Sequence, residues 1–234
     1  MTVPDHKLYE DIYEVIREED VLPEDEIFEV VLADYLELAK YADQLPICRV
    51  FNFFDVEPEG RIDLMIVNET APDSMPKNVK AVAYIDCSFT EVPKLPSSVV
   101  YVDYSTCMDL ETISGLPKSL GTLSVFEWRS DRGLLPVSLP AGLVSLKMKT
   151  TRPLHFKGKW PARLKSFQVN DSTGITADLP MPKSLRSFHY VATPNPKILS
   201  LSKTPQLKSI KLSDAIISFD GHAICTGPEA ECSV

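Results

Sequence analysis

The sequence predicts an α/β repeat fold: a curved solenoid of short coils with a parallel β-sheet on its concave face and an α-helical cap at the N-terminus. Three observations predict it. Seven prolines, Pro76, Pro96, Pro117, Pro140, Pro161, Pro182 and Pro205, recur at intervals of 20, 21, 23, 21, 21 and 23 residues. Each opens a segment with the same apolar pattern, the mark of a repeat architecture. Charge also divides the chain: residues 1–60 carry 17 acidic and 4 basic side chains, the remainder 16 and 20.

The coils follow from the segments themselves. MPKNVKAVAYIDC from Met75, LPSSVVYVDYSTC from Leu95, LPKSLGTLSVFEW from Leu116, LPAGLVSLKMKTT from Leu139, WPARLKSFQVNDS from Trp160 and MPKSLRSFHYVAT from Met181 align directly, and TPQLKSIKLSDA from Thr204 aligns with one residue dropped. Their apolar trios are Val79, Val82, Tyr84; Val99, Val102, Tyr104; Leu120, Leu123, Val125; Leu143, Leu146, Met148; Leu164, Phe167, Val169; Leu185, Phe188, Tyr190; and Leu207, Ile210, Leu212. Apolar residues that alternate over a short run make a strand with one buried face. An x-Pro step ahead of the run holds the backbone extended and stops a helix from entering it. A unit this short has no room for a long helix, so successive strands stack parallel, each coil burying its apolar side against the next.

The pattern L-x-x-L-x-L-x-x-(N/C/T/S) resembles the leucine-rich repeat, whose strand segment ends in an Asn or Cys that ties down the backbone of neighbouring coils. That slot holds Cys87, Cys107, Trp128, Thr151, Ser172, Thr193 and Ala215. The family's Asn is absent; Cys, Thr or Ser fills the slot in five coils, and Trp128 and Ala215 depart from it. The Pro-led opening is most similar to the short repeats of bacterial type III secreted leucine-rich effectors and to those of amoebal and giant-virus proteins. The resemblance spans roughly residues 75–216. It implies a non-enzymatic protein–protein interaction module that binds a macromolecular partner on the concave face.

Three regions are expected: an acidic helical cap over 1–48, repeats over 49–216 and a C-terminal cap or tail over 217–234. In residues 5–20, Leu8, Ile12 and Ile16 fall at helical spacing with Asp5 as N-cap. A second helix is expected within residues 23–44, opened by Pro23 and an acidic first turn. These helices would plug the open end of the solenoid, since terminal coils need covering. An alternative is an F-box-like module, which the segment resembles in Leu22-Pro23, Tyr35-Leu36 and the closing Cys48, Arg49 and Phe51. It implies that the helices bind a ubiquitin-ligase adaptor while the repeats bind substrate. Residues 49–67, with apolar runs at Phe51–Phe54 and Ile62–Val67, supply an irregular first strand and the first true repeat.

Between the buried slots of each strand lie residues that point to the opposite face. These grade from apolar (Ala81, Ala83, Ile85) to polar and basic in later coils. The partner-binding candidates are Tyr101, Asp103, Phe126, Lys147, Lys149, Gln168, His189 and Lys211. Tyr101 and Phe126 are the expected anchors, because exposed aromatics carry disproportionate binding energy. Lys147, Lys149, His189 and Lys211 suit a protein partner with an acidic surface. A basic rim of Arg129, Arg132, Arg152, Lys157, Lys159, Arg163 and Lys165 is the place for nucleic acid, the weaker candidate because aromatic interleaving is thin.

No apolar run is long enough to span a membrane, and the opening MTVPDHKLYEDIYE is too polar for a signal peptide. Five scattered cysteines are expected reduced in an intracellular, cytoplasmic setting, or in a host cell for a secreted effector; a Cys225–Cys232 pair is the alternative. Glycine-rich phosphate loops, His-Glu-x-x-His pairs and Gly-x-Ser-x-Gly elbows are missing, and neither cofactor nor metal is expected. The nearest catalytic or zinc-binding constellation is Asp220, His222 and Cys225, with Cys232 beyond, in the expected C-terminal cap.

Overall fold

The computed structural model describes residues 5–18, 28–31, 47–51, 63–68, 75–127, 133–170, 172, 175–177, 182–191, 198–201, 209–213, 216–219, 222–225 and 230–232. One helix, α1 (Asp5–Glu18), precedes β1 (Phe28–Val31), β2 (Ile47–Phe51), β3 (Leu64–Asn68), β4 (Ala81–Ile85), β5 (Tyr101–Ser105) and β6 (Thr122–Glu127). Then come β7 (Leu135–Val137), β8 (Ser145–Thr150), β9 (Leu154–Phe156), β10 (Ser166–Asn170), β11 (Ile175–Ala177) and β12 (Ser187–Val191). The last are β13 (Ile198–Leu201), β14 (Ser209–Ser213), β15 (Ile216–Phe219), β16 (His222–Cys225) and β17 (Ala230–Cys232).

Among the described residues the main sheet has eleven strands, in the order β1-β2-β3-β4-β5-β6-β8-β10-β12-β14-β17. Every neighbour from β2 to β14 is parallel. Antiparallel strands close both edges, β1 on β2 and β17 on β14. Among the described residues the chain is thus a parallel-strand solenoid with one N-terminal helix. The trios share one register: Val82, Val102, Leu123, Leu146, Phe167 and Phe188 lie side by side, as do Tyr84, Tyr104, Val125, Met148, Val169 and Tyr190. All are buried in one continuous core. Aromatic pairs fill its width: Tyr84 stacks on Tyr104 at 5.4 Å, and Phe167 meets Phe156 and Phe188 at 5.4 Å each.

Each coil starts the same way. The residue three past the proline donates its N–H to the proline carbonyl, from Val79 to Pro76 at 3.3 Å through Leu185 to Pro182 at 3.1 Å. The turn feeds the strand, and the coil is then bonded to the one before. Ser98, Ser119 and Ser184 donate to the carbonyls of Val79, Val99 and Leu164 at 2.7, 2.7 and 2.8 Å. At the equivalent place Gly142 approaches so closely that a Cβ would sit 2.2 Å from the Lys118 carbonyl oxygen. Strand ends are tied similarly: Cys87 donates to Val67 O at 3.6 Å, Cys107 to Tyr84 O at 3.6 Å and Ser172 to Arg152 O at 2.9 Å. The chain turns into that slot through Asp86 (φ 52°) and Thr106 (φ 57°), left-handed conformations costly for residues with a Cβ. Their N–H groups bond the next coil, Asp86 to Ser105 O at 3.0 Å and Thr106 to Phe126 O at 2.7 Å.

A second sheet, β7, β9 and β11 in parallel, forms behind the core. Beside it Arg152, expected on the basic rim, is buried. Its guanidinium meets Glu127 at 3.1 Å and donates to the carbonyls of Leu110 (2.6 Å), Gly133 (2.9 Å) and Leu134 (3.3 Å). Planar, multiply bonded and paired, it satisfies backbone groups where the coils change direction. Lys157, Lys159, Arg163 and Lys165 are exposed, and Arg129 and Arg132 lie outside the described residues.

The N-terminal region departs from expectation. α1 forms over the expected stretch, with Asp5 in its first turn and Arg17 in its last, as the helix dipole favours. It does not plug the solenoid's end, however. Leu8, Tyr9, Ile12, Tyr13 and Ile16 pack on Leu64, Ile66, Ala81, Ala83 and Tyr101, on the outward face of the main sheet, away from the repeat core. Early coils present apolar residues outward, and the helix removes them from water. The second expected helix is not formed at Phe28–Val31, which pair with β2 as a strand; residues 32–44 lie outside the described set. Cys48, Arg49 and Phe51, which carry the closing part of the F-box likeness, lie on β2; Leu22, Pro23, Tyr35 and Leu36 are outside the described residues.

Candidate functional site

The outward slots form three columns across the main sheet. The central one runs Ala83, Asp103, Ser124, Lys147, Gln168, His189, and the one toward the strand ends runs Ile85, Ser105, Phe126, Lys149, Asn170. α1 divides them. His6 Nδ1 lies 3.1 Å from the hydroxyl of Thr122, the first residue of β6, and Arg17 lines one cavity with Phe126 and Lys149 toward the strand ends. The helix therefore runs along the strands over β4–β6, and β10 and β12 lie beyond it.

This placement sorts the sequence candidates. Tyr101 is not an exposed anchor: it is 2% exposed, with its ring 6.0 Å from that of Tyr13 on the helix. Asp103 is likewise buried, at 1% exposure. Lys147 faces the helix, with its ammonium 2.8 Å from Glu10 and 2.6 Å from Glu14. Phe126, Lys149, Gln168 and His189 are half-buried, on the part of the face beside and beyond α1. Lys211 stands in register with His189 on β14, but its side chain lies outside the described residues.

A cavity of about 240 Å³ opens where the last turn of α1 meets β5, β6, β8 and β10. Tyr13, Glu14 and Arg17 form its helix wall; Asp103, Ser124, Phe126, Lys147, Lys149, Gln168 and Asn170 line its sheet side. Burial pushes the Asp103 carboxyl above the usual carboxylate range, opposed by hydrogen bonds from Ser105 and Ser124 and by the Arg17 charge. The Lys149 ammonium lies 4.9 Å from the centre of the Phe126 ring, a cation–π contact that fixes both side chains. The Asn170 Oδ1 atom is buried and finds no hydrogen-bond donor among the described residues.

Arg17 and Asn170 were not among the sequence candidates. Asn170 sits in the same alternation as Gln168 and could have been read from it. Arg17 could not, because nothing in the repeat pattern says which way the N-terminal helix lies. The outward apolar slots Ala81, Ala83 and Ile85 did carry a signal that something covers the early coils. At the other end, His222 and Cys225 lie on β16, antiparallel to β15; their side chains, Asp220 and the side chain of Cys232 lie outside the described residues. Cys87 and Cys107 occupy the inward slot and are buried. No described helix is long and apolar enough to cross a membrane. No family model, curated protein or solved structure matches the chain.

Proposed function

We propose that the chain is a leucine-rich-repeat protein that captures a protein partner, without catalysis, on the part of its concave face that α1 leaves uncovered. The observation that carries the reading is the division of the outward face. Its apolar half is filled by the chain's own helix, while Phe126, Lys149, Gln168 and His189 remain accessible beside a polar cavity. A rigid sheet that presents an aromatic, a cation and amides at fixed spacing is suited to recognition, because little side-chain entropy is lost on binding. The leucine-rich-repeat assignment is supported by the Pro-led turn and by Cys and Ser side chains that bond the preceding coil.

Affinity capture followed by mass spectrometry tests it, comparing the full chain with a Phe126→Ala/Lys149→Ala variant. Capture of the partner should fall at least about tenfold, the scale of a lost interface anchor, with thermal unfolding unchanged. Equal capture by both proteins would remove the partner from this face.

A further inference from the structure

α1 packs on the main sheet but takes no part in the repeat core. Leu8, Ile12, Tyr13 and Ile16 meet Leu64, Ile66, Ala81, Ala83 and Tyr101, and none of these belongs to the cluster that the coils bury. Beneath the helix, β3, β4, β5 and β6 bond strand to strand. The sheet is therefore complete without α1, and the helix lies on a surface that the coils have already built.

That surface is shaped for a helix of one kind. At one end Gly121 leaves room for the first turn, since a Cβ there would lie 2.7 Å from the His6 ring. In the middle, Ala81 and Ala83 take apolar side chains four residues apart, among them Leu8, Ile12 and Ile16. At the flank, the Lys147 ammonium meets an acidic pair one turn apart, Glu10 at 2.8 Å and Glu14 at 2.6 Å. Under the docked helix Glu10 and Asp103 are buried, at 4% and 1% exposure. Burying polar groups costs free energy that undocking returns, so α1 is held less firmly than its apolar contacts alone would hold it. We propose that the sheet face beneath α1 is a helix-binding surface for a protein partner, which α1 occupies until an amphipathic helix with the same apolar spacing and an acidic pair toward Lys147 replaces it. A second copy's α1 makes identical contacts and also loses the freedom of a separate molecule, so the exchange favours a partner helix that fits better. The surface shares no residue with Phe126, Lys149, Gln168 and His189, and its loss would leave the uncovered face standing.

The test uses the full chain with Ile12→Asp and Ile16→Asp, which releases its own helix, and a fluorescein-labelled synthetic peptide of residues 5–18. Fluorescence anisotropy should show saturable binding to the released chain. Binding to the unmodified chain should be at least about tenfold weaker, because tethered α1 competes there at an effective concentration on the order of millimolar. A peptide with Glu10→Lys and Glu14→Lys should bind the released chain about tenfold or more weakly and recover when Lys147→Glu is added to that chain, a reciprocity that apolar adhesion does not give. Equal binding of the two peptides, equal binding to the released and unmodified chains, or no binding to the folded released chain would overturn the proposal. Should the released chain fail to fold, hydrogen exchange of the unmodified chain decides. The α1 amides should exchange faster than those of β5 and β6, through an opening that leaves the strands closed; exchange of α1 only together with those strands would overturn the proposal. Light scattering is the remaining arm: a dimer of the unmodified chain that Ile12→Asp dissolves would put a second copy's helix on this surface and contradict the partner assignment.

Discussion

The Lys147 ammonium bridges two successive turns of the same helix, 2.8 Å from Glu10 and 2.6 Å from Glu14, so a residue of the fourth coil holds the N-terminal segment on the sheet. Burial alone would lower the Lys147 pKa, but hydrogen bonds and charge from the two carboxylates outweigh it and leave it above its ordinary value. A raised lysine pKa means that the contribution is complete below about 10.5 and is lost only as pH rises through the folded value. Lys147 and Glu14 are 33% and 42% exposed, so solvent screens the pair. Lys147→Ala should therefore cost about 1 kcal/mol or less. Amide hydrogen exchange should show faster exchange confined to α1; unchanged exchange would remove the bridge as a tether.

The first turn of the helix depends on Gly121. A Cβ there would lie 2.7 Å from the His6 ring and 2.8 Å from the His6 Cβ, so Gly121→Ala should lift the start of α1. The strand register should persist, because β6 is bonded independently on both sides. His6 adds a pH dependence. Desolvation lowers its pKa from 6.5, opposed by Glu10 and Asp5 and assisted by Lys7 and Arg163. With a depressed folded pKa, the stabilisation is present above 6.5 and is lost as pH falls through the folded value. Chemical denaturation across that window should show falling stability on acidification, and His6→Gln should flatten this component. A slope unchanged by His6→Gln would assign it elsewhere.

Neighbouring residues on β10 should behave oppositely. Phe167 is 1% exposed in the repeat core, whereas Gln168 is half-buried on the outward face. Phe167→Ala should cost about 3–5 kcal/mol through the cavity it leaves. Gln168→Ala should stay within about 0.5 kcal/mol. Urea denaturation distinguishes them, and similar costs for both would contradict the alternation.

Arg152 tests the turning region between the two sheets. Removing one partner of a buried pair strands the other, so Arg152→Ala should destabilise by about 3–5 kcal/mol. The loss includes three backbone carbonyls deprived of a donor. Lys159→Ala, on an exposed neighbour in sequence, should be almost neutral. A small effect at Arg152 would show that water readily replaces the guanidinium.

The architecture was legible because periodicity is redundant. Seven prolines and seven apolar trios each specify the same register, and a mistake at one coil is corrected by the next. The site was half legible for the same reason. Alternation identifies Phe126, Lys149 and Gln168 as outward, but it cannot say that Tyr101 and Asp103, equally outward, lie beneath a helix. That depends on one non-repeating segment and on a handful of pairings, Glu10 and Glu14 with Lys147 and His6 with Thr122, that no period encodes. Phe28–Val31 were expected in a helix for a related reason: charge and composition there favour one, while an unpaired sheet edge beside β2 favours a strand.

Hydrogen exchange on the full chain, with and without its captured partner, tests the central claim most directly. The account predicts new protection over 145–150, 166–170 and 187–191, the backbones beneath the uncovered face, with little change over 135–137 and 154–156 on the second sheet. Protection concentrated on that second sheet, or spread evenly along the chain, would contradict it.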